Sequence, residues 1–79
     1  MDNSAASQRQ RILAWLKSSR ALSTLEARQH LDVLHPAARV MELRQAGHNI
    51  ATHWRTDHNG RGRPHRVASY VLLVDREAA

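Results

Sequence analysis

Apolar and polar positions along the chain follow a helical period first and an alternating one later. Ile12, Leu13, Trp15 and Leu16 make one apolar face, with Arg9, Arg11 and Lys17 left on the wet side. This pattern predicts a first helix capped by Ser7 and running to about Ser18, after a patternless, frayed stretch over residues 1–6. Ser23-Thr24-Leu25-Glu26 has the residues of a capping box, in which a hydroxyl and a carboxylate satisfy backbone N–H groups reciprocally. It predicts a second helix from Thr24 to about Leu31. Asp32-Val33-Leu34 then forms a turn, with Val33 or Leu34 pointing inward.

The stretch from His35 to Ile50 has both ends of a third helix marked. Pro36 suits the first helical position, where its missing N–H is not needed. Gly47 suits the left-handed position just past the end. Val40, Leu43 and Gly47 share one stripe, and His35, Ala38, Arg39, Glu42 and Gln45 the opposite one. After Gly47 the period changes to two. Ile50, Thr52 and Trp54 alternate with Ala51, His53 and Arg55, and Ala68, Tyr70 and Leu72 share a face of a return strand over 66–73, whose alternation Val67, Val71 and Leu73 blur. Between the strands, residues 57–64 contain Asn59-Gly60, a hairpin signal. The fold class expected is α+β: three helices followed by a two-stranded antiparallel hairpin, to which a short strand near Leu22 can add. The domain is expected over 7–73, with a frayed tail over 74–79.

Composition sharpens this picture. A chain of 79 residues makes one small domain with a modest core, and with no cysteine it has neither disulfides nor thiolate metal ligands. No apolar run approaches a membrane span, and the polar start lacks a secretory h-region, so a cytoplasmic setting without membrane contact is expected. The net charge is +5, and Lys17 is the sole lysine beside eleven arginines. Arginine grips phosphates and guanine edges bidentately, although a GC-rich genome also supplies arginine codons. Placement is therefore better evidence than number. From His53 to Arg66 the only acid is Asp57, against Arg55, Arg61, Arg63 and Arg66. Gly60 and Gly62 let that loop approach a phosphate closely.

Helix, short turn, polar-faced helix and basic hairpin is the layout of a winged helix-turn-helix. Four sets of residues carry a resemblance to small phage and prophage winged helix-turn-helix proteins, from about Ser7 to Leu73. They are Ser23/Glu26/Ala27, Ala38/Arg39/Val40, Leu43/Arg44/Gly47/Ile50 and Tyr70/Leu72. The run from Ala37 to Ile50 is also similar to the DNA-binding domain of biotin ligase repressors. The resemblance implies a regulator or architectural factor that binds double-stranded DNA, alone or as a weak homodimer formed on DNA. The helix over 35–46 would enter the major groove, offering His35, Ala38, Arg39, Glu42 and Gln45. The wing over 55–66 would meet backbone or minor groove through Arg55, His58, Arg61, Arg63, His65 and Arg66. Ala37 and Ala38 stand where base readers often carry polar side chains, which argues against strong sequence specificity.

Other chemistries have less support. His48, His53 and His58 are five apart, so consecutive ones fall on opposite strand faces, and no compact histidine pair marks a helix; no metal site or cofactor is expected. Trp15, Trp54 and Tyr70 are expected to pack in the core or anchor the wing, with Trp54 the best placed to stack on a base. No nucleophile elbow, phosphate-cradling motif or carboxylate pair points to catalysis, so no enzyme is expected. The alternatives to DNA are a winged helix that binds a protein partner and one that binds RNA.

Overall fold

The computed structural model describes residues 2–58 and 64–73. Along the chain lie α1 (Ala5–Ser19), β1 (Ala21–Ser23), α2 (Thr24–His30), α3 (Pro36–Gln45), β2 (Ile50–His58) and β3 (Pro64–Leu72). The strands form a three-stranded antiparallel sheet in the order β1-β3-β2, not a two-stranded hairpin. The third strand is the short segment around Leu22, which pairs Ala21 with Val71, Leu22 with Tyr70 and Ser23 with Ser69. Pairing satisfies backbone groups of β3 that a two-stranded hairpin would leave unpartnered beside the core.

The first helix begins earlier than its apolar pattern suggests. Its N-cap is Ser4, whose hydroxyl oxygen accepts from the Ser7 N–H at 3.2 Å, and Asp2 in turn accepts from the Ser4 N–H at 2.8 Å. The helix ends at Arg20, which takes the left-handed conformation (φ 69°) and donates its N–H to the Leu16 carbonyl. The second helix starts as the residues dictate. Ser23 Oγ accepts from the Glu26 N–H at 3.0 Å, and Glu26 Oε1 accepts from the Ser23 N–H at 2.9 Å, closing the capping box. Ser23→Ala should remove about 1 kcal/mol of stability, and a melting midpoint lowered by several degrees would register it.

Between α2 and α3 the chain reverses through Asp32, at φ 56°, and Val33 plugs the turn into the core while Leu34 points out. The third helix starts at Pro36 and stops in a Schellman motif. The His48 N–H donates to the Leu43 carbonyl and the Gly47 N–H to the Arg44 carbonyl. Gly47 has φ 106°, and nothing lies within 4 Å of where its Cβ would stand, so backbone conformation alone calls for glycine.

The core joins all six elements but is small. Ile12 and Leu16 come from α1, Leu22 from β1, Ala27 from α2, Val33 from the turn, Val40 and Leu43 from α3, and Ile50, Ala68 and Tyr70 from the sheet. Trp15 packs at the margin: its Nε1 donates to the Ala21 carbonyl at 2.8 Å and its ring stacks on His30. Across the β2–β3 pair, Ile50 faces Leu72, Thr52 faces Tyr70, Trp54 faces Ala68 and Thr56 faces Arg66. Opposed residues share a side of the sheet, so all of these lie on its core-facing side. Burial lapses along that side: Ile50 is in the core, whereas Trp54 and Arg66 are exposed. The hairpin therefore extends past the helices as a wing.

Candidate nucleic-acid interface

The third helix buries Pro36, Val40 and Leu43. Packing of α1 along one flank of that stripe decides what the remaining faces can do. Arg39 and Glu42, expected on the open stripe, sit on this flank. Glu42 Oε1 accepts from Arg9 Nη1 at 2.7 Å, and Glu42 Oε2 accepts from Arg39 Nη2 at 3.0 Å. The carboxylate thus links α1 to α3 and holds the Arg39 guanidinium against the helix. Arg39 is 21% exposed in its side chain, and its Nε is buried without a partner. Sequence spacing indicates the Arg39–Glu42 pair at i,i+3; nothing local indicates that Arg9, thirty-three residues away, completes it.

The other flank is also engaged. Arg44 Nε donates to the Ile50 carbonyl and Nη2 to Thr52 Oγ1, both at 2.7 Å, which ties α3 to the first residues of β2. Ala38, Met41 and Gln45 are left as the outward stripe, with Ala37 beside them and His35 exposed at the N-cap position, where its side chain makes no capping bond. This outward face is more apolar than the residues first assigned to it. Met41 is 59% exposed, and Gln45 is the stripe's one side chain with both hydrogen-bond donor and acceptor groups.

On the wing, Arg55, His65 and Arg66 are exposed. The Arg66 guanidinium lies over the Trp54 ring, 4.8 Å from its centroid. Trp54 was the aromatic expected to differ from the other two, and it is 59% exposed while Tyr70 is buried. The side chain of His58, and Arg61 and Arg63 entirely, lie outside the described residues. Between the wing and the N-terminal ends of α2 and α3 runs a groove of about 730 Å³, lined by Leu25, Arg28 and Ala37 on the helix side and by Trp54, Arg55 and Arg66 among the wing residues. None of the described residues that line it is acidic. Among the described residues no three histidine or carboxylate side chains come together as metal ligands, and no helix is long and apolar enough to cross a membrane.

Comparison with known proteins agrees with this architecture. No curated protein and no solved structure matches the chain significantly. One family profile, described as a winged helix-turn-helix domain, matches residues 7–75, a range that takes in all of the elements but the first two residues of α1. A helix–turn–helix over α2 and α3, followed by a β2–β3 wing, is the arrangement that this description names. The chain therefore belongs to the winged helix-turn-helix domain family, a class whose general activity is DNA binding.

Proposed function

We propose that this protein binds double-stranded DNA, with α3 in the major groove and the β2–β3 wing on the backbone or in the adjacent minor groove, as a small phage- or prophage-type regulator or architectural factor. The observation that carries this reading is the groove between α3 and the wing. A major-groove helix and a minor-groove wing straddle one strand of the duplex, and here the described residues lining the gap include three arginines and no acid. The family membership supports the same partner.

Within this reading the residues of α3 divide by geometry. Gln45 presents an amide that can pair with adenine, while Ala38 and Met41 offer apolar contact to a thymine methyl. Arg39 acts as a positioning residue, because Glu42 holds it between α1 and α3. Selection of bound sequences from a random duplex pool tests the reading directly. Gln45→Ala should narrow the gap between selected and random duplexes by about 1–3 kcal/mol. Arg39→Ala should weaken both alike. The reverse pattern would make Arg39 the base reader, and the absence of salt-dependent binding to any duplex at low ionic strength would end the DNA reading. A protein-binding role is the second reading, favoured by the exposure of Leu25, Leu34 and Met41.

A further inference from the structure

The groove between the helices and the wing has features that the duplex reading leaves unused. Trp15 and Tyr70 are packed or hydrogen-bonded, yet Trp54 stands open on the core-facing side of the sheet, where the helices no longer cover it. Beside it lie an exposed leucine, Leu25, and the small side chain of Ala37. Arg28 and Arg66 flank this apolar floor, with no carboxylate among the described lining residues. The occupant that fits is planar and apolar in one part and anionic in another. The groove's volume of about 730 Å³ is in the range that takes a ligand of nucleotide size.

We propose that this groove takes an unpaired nucleotide of a DNA strand, with the base against the Trp54 indole and the phosphate between Arg28 and Arg66. The inference rests on the DNA reading but goes beyond it. Bases in a duplex stack on one another and offer only their edges, so an exposed indole gains little from them. An unpaired base presents a free face, and stacking on an aromatic ring is tolerant of sequence. Arg66 contributes twice, polarising the indole from above and meeting the phosphate. The domain would then favour duplexes that carry a single-stranded extension or an opened segment over fully paired ones.

Three ligands distinguish the outcomes: a mixed-sequence single strand of ten nucleotides, a blunt duplex, and free adenosine monophosphate. Affinity and tryptophan fluorescence are measured at low salt for the native domain, Trp54→Leu and Trp54→Phe. Trp54 is exposed, so both variants should fold, and circular dichroism checks it. The single strand should quench the native protein's fluorescence, and subtraction of the Trp54→Leu signal should assign the quenching to Trp54 rather than Trp15. Trp54→Leu should lower single-strand affinity about tenfold while Trp54→Phe retains most of it, and duplex affinity should change less than threefold in either. Equal losses on single strand and duplex, or none on either, would overturn the proposal while leaving the DNA reading standing. Quenching by the free mononucleotide at the same concentration as by the strand would overturn the strand as the source. Binding of none of the three would remove both the proposal and the DNA reading beneath it.

Discussion

Replacing Leu16 by Ala should cost about 2–5 kcal/mol, a large share of what so small a domain has. Leu16 is fully buried, and it comes from a helix that packs against α3, β1 and β3 alike. Truncation removes apolar area and leaves a cavity, and neighbours anchored in several elements cannot all collapse into it. The core includes few large side chains: Ile12, Leu16, Leu22, Val33 and Val40 are the largest fully buried ones. No disulfide compensates, since the chain has no cysteine. Thermal and urea denaturation should show a midpoint lowered by ten degrees or more, on the order of 4–8 °C per kcal/mol for a domain of this length. A midpoint within two degrees of the native value would mean that α1 is not part of the cooperative core.

Most of the fold is legible in the sequence because its signals are local. The capping box of Ser23 and Glu26, the Pro36 start and Gly47 stop of α3, and the buried pair Val40 and Leu43 each follow from a few neighbouring residues. Where a partner is distant, the reading loses resolution. Ser7 is the serine nearest the apolar pattern, but Ala5 and Ala6 carry no amphipathic information, and the capping network from Asp2 to Ser4 extends the helix by a turn. The short strand near Leu22 is legible only as an addition to the hairpin, because three residues carry little alternation; the sheet edge of β3 makes them a strand.

The same limit applies to the interface. Periodicity fixes which side of α3 is buried, but not which flank a neighbouring helix occupies. Arg39 and Glu42 read as open because their type suits solvent, while Arg9 of α1 draws them into the α1–α3 contact. The outward stripe consequently shifts to Ala38, Met41 and Gln45. Trp54 shows the converse. An aromatic at an alternating strand position normally packs inward, and it does point to the inner side of the sheet. It stays exposed because the wing outruns the helices that would cover it, a matter of element lengths rather than of residue type.

The largest effect on DNA binding is expected from the wing. The double substitution of Arg55 and Arg66 by Ala should weaken duplex binding by up to about a hundredfold at 0.1 M salt. Each neutralised phosphate contributes roughly 0.9 to the slope of log affinity against log salt, hence about one decade between 1 M and 0.1 M. Two lost contacts should flatten the slope by nearly two, and the loss should be similar for selected and random duplexes, because phosphate contacts carry no sequence information. Arg66→Ala also removes the cation over Trp54, worth about 0.5–1 kcal/mol at an exposed site, so charge must be separated from stacking. The paired substitution by Lys does this: it keeps two positive charges and should preserve most of the slope. Both arginines are exposed on the wing, away from the core cluster, so either double variant should melt within a few degrees of the native domain. A slope that the alanine variant leaves unchanged would mean that the wing does not meet phosphates. Binding would then have to run through the helices, where Arg39 and Arg44 are already engaged within the protein.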